Sequence, residues 1–263
     1  MKPRLFVFGC SYCTGEELLL DEIKDLNQLR ISTANDPRVF FSNLKKDKKL
    51  LSQYQDIVIR QKELSWPNLL ASRLEIDCVN LAESGNSLDK IIYQISTTKL
   101  NPNDFILVAL TNPFRGLYFD QEPKSFQLPN LFWSIKDRLL GVKKNGDIDY
   151  VIGKEEDRAI LKWFNDDRIL WDQIKNISVL GFLKNNLNLV IVPAMSRKDF
   201  NLKPYNDCLL QTYDDLENKL LSISRSLDDF TKNRMPWGHP DKSAHEFYAD
   251  YCYEIFRKLS AFN

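Results

Sequence analysis

The chain reads as an α/β protein, a mostly parallel sheet wound with helices on both faces and carrying helical insertions. Three observations predict this. Four short runs of near-continuous Val, Ile, Leu and Phe, "RLFVFG" (4–9), "DCVNLA" (77–82), "DFILVAL" (104–110) and "LNLVIVPA" (187–194), have the composition of strands covered on both faces. Helical periodicity fills the segments between them, and strand–helix–strand alternation gives a parallel sheet. The length of 263 residues, 43% apolar and 27% charged, is that of a folded protein with one substantial core.

The elements follow in order. Leu5 to Phe8 form the apolar heart of the first strand, and "GCSYCTG" is the turn after it. Residues 25–64 exceed what a crossover needs and are expected to be an insertion on a single domain spanning 1–263. After the second strand, Ser87 is positioned as an N-cap. Behind it Leu88, Ile91, Ile92 and Ile95 fall at i, i+3, i+4 and i+7, one face of a helix. A second insertion is expected at about 115–180. Its aromatics Tyr118, Phe119, Phe126, Phe132, Trp133, Trp163, Phe164 and Trp171 predict a satellite core, with a lid or substrate wall as the functional alternative. The final helix opens with "SAHE", where Ser243 and Glu246 have capping-box spacing, and carries Tyr248, Tyr251, Cys252, Ile255 and Leu259 as its apolar stripe.

Charge and composition exclude several classes. Lys plus Arg and Asp plus Glu both number 36, so no long-range field draws the protein to nucleic acid or an anionic membrane, and "KKDKK" at 45–49 reads as a solvated face. No apolar run has the length of a transmembrane span. The segment "MKPRLFVFGC" mimics a lipoprotein signal, but its apolar core is too short for one, so a cytoplasmic location is expected. Five scattered cysteines, at 10, 13, 78, 208 and 252, point to a reducing compartment rather than a disulfide framework.

Residues 9–15 admit three chemistries. A phosphate loop is the weakest, because its lysine is absent and Glu16 and Glu17 stand where a triphosphate would lie. Cys10 and Cys13 have the spacing of a redox dithiol. A zinc site lacks a second such pair, and His239 and His245 are the only histidines. Ser11 is the third candidate, as a nucleophile. In an α/β fold the residues that follow each strand converge in one crevice. There Ser11 meets Gly85 of "AESGNS", Asn112 of "TNPFR" and His239 of "WGHPDKSAHEFYA": a hydroxyl, a glycine with an accessible N–H, an amide donor and a base. Each has a bland reading as a turn or cap residue; jointly they are harder to assign to chance.

In these blocks the sequence resembles the SGNH (GDSL-like) hydrolases, phage-type or bacterial members among them. "VFGCSYCTG" looks like the family's Gly-Asp-Ser block with Cys10 in place of Asp, and "SWPNLLASRL" through "VNLAESGNS" resembles the segment carrying the oxyanion glycine, here Gly85. "VALTNPFR" places Asn112 at the oxyanion asparagine, with Pro113 after it where the family has Asp. "HPDKSAHEFYA" is close to the family's His-Pro ending, with His239 as catalytic base.

The resemblance implies a flavodoxin-like three-layer α/β/α sandwich, the SGNH hydrolase fold. It also implies a serine esterase or acylhydrolase, acting on a small-molecule or carbohydrate ester, possible O-acetyl groups among them, without metal or organic cofactor. Ser11 and His239 would be catalytic, with Ser11, Gly85 and Asn112 forming the oxyanion hole. His245, one turn into the last helix, reads as structural. One departure matters: the family's Asp, two or three residues before the histidine, is replaced by Pro236 and Trp237, and neither Asp228, Asp229 nor Asp241 has its spacing. The imidazole then needs another carboxylate, a backbone carbonyl or a water, and without one the loss is on the order of 10⁴ in turnover. A catalytically impaired binding module of the same fold, and a dithiol protein, are the alternatives.

Overall fold

The computed structural model describes residues 2–33, 37–111, 115–120, 122–127, 166–195, 220–236 and 238–258. Strand β1 (Arg4–Phe8) is followed by a single helical turn, α1 (Ser11–Thr14). Helices α2 (Lys24–Ser32), α3 (Pro37–Leu44), α4 (Lys48–Glu63) and α5 (Trp66–Arg73) come next. Then come β2 (Asp77–Asn80), α6 (Leu88–Thr97), β3 (Phe105–Leu110) and an antiparallel pair, β4 (Arg115–Asp120) with β5 (Glu122–Gln127). Helix α7 (Asp166–Asn186), strand β6 (Leu189–Pro193) and helix α8 (Lys242–Phe256) complete the described elements, with short 3₁₀ turns at Leu20–Glu22 and Leu227–Phe230.

The central sheet has the order β2-β1-β3-β6, and every pairing in it is parallel. All four expected strands are present, trimmed at their ends. Strand alternation divides the core into two layers. Leu5, Val7, Leu107, Ala109, Val190 and Val192 face α5 and α8, where Trp66, Leu70, Tyr248 and Cys252 are buried. Phe6, Phe8, Ile106, Val108, Leu189 and Ile191 face α6 and α7, where Ile91, Ile95 and Leu180 are buried. The result is three layers, α/β/α, as the continuous apolar runs require, because a strand covered on both faces has no polar side. Each such side chain taken out of water contributes roughly 1.5–3 kcal/mol.

Residues 25–64 form α2, α3 and α4 and bury a third cluster, in which Leu18, Leu19 and Leu20 of the loop after α1 pack with Leu26, Phe40, Leu44 and Ile57. Of the aromatics in the expected second insertion, Phe132, Trp133, Trp163 and Phe164 lie outside the described residues, as do Asn112, Trp237, Cys208 and Leu259.

Both expected helix starts are there, one with a different cap. Ser87 accepts the Lys90 N–H at the start of α6. At α8 the cap is Asp241 rather than Ser243: Asp241 Oδ1 accepts the Ala244 N–H and the Ser243 hydroxyl, both at 2.9 Å. A carboxylate directly after Pro240 reaches the free N–H groups of the first turn, and Ser243 then lies inside the helix.

Candidate active site at the carboxyl ends of the strands

The loop leaving β1 is held tightly. A Cβ added to Gly9 would stand 2.6 Å from Cys13 Sγ, so only glycine fits where the chain turns into α1. Ser11 opens that turn and is 5% exposed. Its carbonyl oxygen accepts the Thr14 hydroxyl at 3.0 Å and the Glu16 N–H at 3.3 Å. Gly15 ends the turn at φ 69°, and Glu17 also adopts a left-handed backbone, φ 76°. That conformation is unusual for a residue with a side chain and is kept where the surroundings over-determine it. Here the determinant is visible: Leu18, Leu19 and Leu20 enter the third apolar cluster, and the Glu17 side chain is carried into the protein, fully buried.

The second loop is tied to the first. The Gly9 carbonyl accepts two hydrogen bonds, from the Glu83 N–H at 3.2 Å and the Asn86 amide at 3.1 Å. Asn80 donates to the Cys13 carbonyl at 2.8 Å. Between these anchors Gly85 sits at φ 75°, and nothing lies within 4 Å of where its Cβ would be, so the glycine faces open space. Thr111, directly after β3, is buried, and the Asn112 expected beside it lies outside the described residues.

The segment before α8 closes over this loop. Arg234 holds it in place: its guanidinium donates to the Tyr12 hydroxyl at 3.2 Å, the Gly238 carbonyl at 2.7 Å and Asp228 Oδ1 at 2.9 Å. The His239 ring then meets Tyr12 edge to face, centroids 5.8 Å apart. Burial, with Asp228 nearby, pushes the Tyr12 phenol above its ordinary range, so it stays a neutral partner.

His239 lies between two carboxylates of the first loop. Its Nδ1 is 2.9 Å from Glu17 Oε2, and its backbone N–H approaches the same oxygen at 3.4 Å. With Nδ1–H donating to this oxygen, Nε2 is the nitrogen without a proton in the neutral ring. On the Nε2 side Glu16 Oε2 stands 3.6 Å away, beyond hydrogen-bond reach, and takes the Ser84 hydroxyl instead. Glu17 is further neutralised by the buried Arg30, whose Nη1 lies 3.8 Å from Glu17 Oε1 and 3.4 Å from its carbonyl oxygen.

The three aspartates near His239 in sequence have other work. Asp228 pairs with Arg234, Asp229 closes a capping box with Ser226, and Asp241 caps α8. The carboxylate that meets the His239 imidazole comes instead from the loop after β1.

The remaining sequence candidates separate cleanly. Cys10, Cys13, Cys78 and Cys252 are free, and burial pushes the Cys13 thiol well up, opposite to what a nucleophilic thiolate needs. His245 is buried with Nδ1 accepting the Trp66 N–H at 3.0 Å, so it caps α5 from across the core. Burial, helped by the nearby His239, pushes its pKa down to about 3. Among the described residues no group of three or more His, Cys, Asp or Glu is arranged to hold a metal, and no helix is long and apolar enough to cross a membrane. A cavity of about 550 Å³ near Asn101, Asp104 and Asn188 lies at the amino ends of β3 and β6, away from these residues.

No protein-family model matches the chain, and no curated protein matches it. Among solved structures it is similar to a carbohydrate esterase whose active site is described as having divergent catalytic and non-catalytic binding functions. The likeness has a TM-score of 0.46 and 11% identity, over 99% of this chain and 67% of the other.

Proposed function

We propose that the protein is a serine ester hydrolase of the SGNH type, with Ser11 as nucleophile, His239 as base and Glu17 in the place of the absent aspartate. The observation that carries this reading is the 2.9 Å contact between His239 Nδ1 and the fully buried Glu17. A histidine whose Nδ1–H is held by a carboxylate presents Nε2 as a base of fixed orientation, which is what a serine hydroxyl needs to attack at neutral pH.

In the reaction, Ser11 Oγ bonds to the ester carbonyl carbon while its proton passes to His239 Nε2. The oxyanion is met by the backbone N–H groups of Ser11 and Gly85 and the amide of Asn112, each donor contributing on the order of 10²- to 10³-fold. The tetrahedral carbon then releases the alcohol, which takes the proton from Nε2, and an acyl-serine remains. Water gives a proton to Nε2 and its oxygen to the acyl carbon. Ser11 leaves with that proton, so ester and water become acid and alcohol.

Fluorophosphonate labelling with identification of the modified residue tests this. Labelling at Ser11 is expected in the wild type, lost in Ser11→Ala and His239→Ala, and largely kept in the Cys10→Ser, Cys13→Ser variant. Folded wild-type protein that takes no label would overturn the hydrolase reading in favour of a binding module.

A further inference from the structure

Helix α2 belongs to the first insertion, and one of its side chains reaches the candidate active site. Arg30 is 4% exposed; its Nη1 lies 3.8 Å from Glu17 Oε1 and donates to the Glu17 carbonyl at 3.4 Å. We propose that Arg30 is a positioning residue of the hydrolase: its fixed positive charge keeps Glu17 an anion and leaves the His239 imidazole neutral, able to take the Ser11 proton. The proposal rests on the hydrolase reading above and makes the insertion a working part of that site.

The placement is written into α2. Leu26 and Arg30, one turn apart, are its two buried residues. Leu26 packs in the cluster of Leu18, Leu19 and Leu20, the leucines directly after Glu17. One docking event therefore carries Glu17 inward and sets a guanidinium beside it. Asn27, on the same side of the helix, accepts from Arg30 Nη2 at 2.6 Å and fixes the direction of the fork. Arg30 approaches Glu17 Oε1 while His239 Nδ1 meets Oε2, so the two do not compete for one oxygen.

Electrostatics give the contact its effect. Glu17 is fully buried and Glu16 is 7% exposed, with Oε2 3.6 Å from His239 Nε2, so the ring has a carboxylate on each side. Two buried anions without a cation beside them favour a proton on the group between them or on one of themselves. Either outcome removes the base: an imidazolium takes no proton from Ser11, and a protonated Glu17 no longer needs Nδ1–H. A guanidinium stays charged over the whole working range. With it, the carboxylates keep one uncompensated charge, which the imidazolium matches as Ser11 attacks. The neighbouring groups leave this balance intact. Burial pushes up the phenols of Tyr12 and Tyr54, the second with help from Glu16 and Glu17, and pushes His245 down to about 3, so all three are neutral. Arg234 is paired with Asp228 and Glu83 with Lys90, Lys62 donates to the Asn80 and Ala82 carbonyls, and Asp241 caps α8.

The experiment measures the rate at which a fluorophosphonate labels Ser11 between about pH 5 and about pH 9. It uses the full chain as wild type, Arg30→Gln, Arg30→Lys, Asn27→Asp and Arg60→Gln, with folding followed by thermal melting. Arg60 lies in the same insertion in an exposed pair with Glu22, so its loss changes the net charge away from the site. Arg30→Gln is expected to move the acid limb of the profile upward by roughly one to two pH units, lowering the rate about tenfold or more at neutral pH, with recovery as pH rises. Arg30→Lys keeps the charge and is expected to restore most of the rate, and Arg60→Gln to leave the limb in place. Asn27→Asp sets a carboxylate against Arg30 Nη2 and is expected to shift the limb the same way by a smaller step; it carries the test if Arg30→Gln does not fold. An acid limb unmoved in the folded variants, or a loss equal at every pH, overturns the role of Arg30 while labelling of wild-type Ser11 leaves the hydrolase reading standing. Folded wild type that takes no label overturns the two together.

Discussion

Glu17 and His239 stand 222 positions apart in sequence and 2.9 Å apart in the protein, the carboxylate fully buried and the imidazole half-buried above it. The imidazole is oriented by the loop that carries Ser11, so serine and carboxylate move as one piece, and the histidine is brought to them by the Arg234 clamp.

Glu17→Gln keeps the shape and removes the charge. Its amide no longer fixes the proton on Nδ1, and kcat on an ester substrate is expected to fall by on the order of 10²- to 10⁴-fold with KM changed only a few-fold. A fall in KM-dependent terms with kcat preserved would argue against an orienting role.

His245 makes stability depend on pH. Its folded pKa, pushed down by burial to about 3, lies below the ordinary 6.5, so between these values the unfolded chain binds the extra proton. Stability is then complete above 6.5 and lost as pH falls toward 3, by roughly 1.4 kcal/mol per pH unit from this group. Urea titrations of wild type and His245→Gln on either side of pH 6.5 check this: the wild type's advantage is expected to shrink on the acid side.

Gly9 and Cys13 are coupled by contact. Gly9→Ala places a methyl 2.6 Å from Cys13 Sγ and 3.2 Å from Ala109 Cβ, and is expected to cost about 1–3 kcal/mol. The double variant with Cys13→Ala is expected to recover part of that loss. A double-mutant cycle showing strict additivity would remove the steric explanation.

At the start of α8, Asp241→Ala is expected to destabilise by about 1 kcal/mol and Ser243→Ala by a few tenths, as thermal melts would show. The reverse order would restore Ser243 as the cap.

The strands and α6 were legible because their signals are local. A buried parallel strand is a run of apolar residues, and Ser87 with Leu88, Ile91 and Ile95 writes a cap and a face within nine residues. The start of α8 departs from the expectation at Ser243 because two capping patterns overlap there, and the carboxylate nearer the proline wins. The pairing of Glu17 with His239 was not legible. Glu16 and Glu17 served in the sequence only to exclude a phosphate loop. What carries Glu17 inward is the packing of Leu18, Leu19 and Leu20 against helices from residues 24–63, a tertiary effect with no local signature. The adjacency of two glutamates to a leucine triplet was the one available hint. The approach of Arg30 to Glu17 is equally non-local, since it depends on where α2 docks.

The remote contact also has a consequence in time. During synthesis the N-terminal loop leaves the ribosome some 222 residues ahead of the imidazole, roughly ten to forty seconds at ordinary elongation rates. Over that interval the nascent chain holds Ser11 and Glu17 without His239, and α5 waits in the same way for His245 to reach Trp66 from 179 positions downstream. Both contacts are therefore completed only once the segment carrying residues 239–245 has been made.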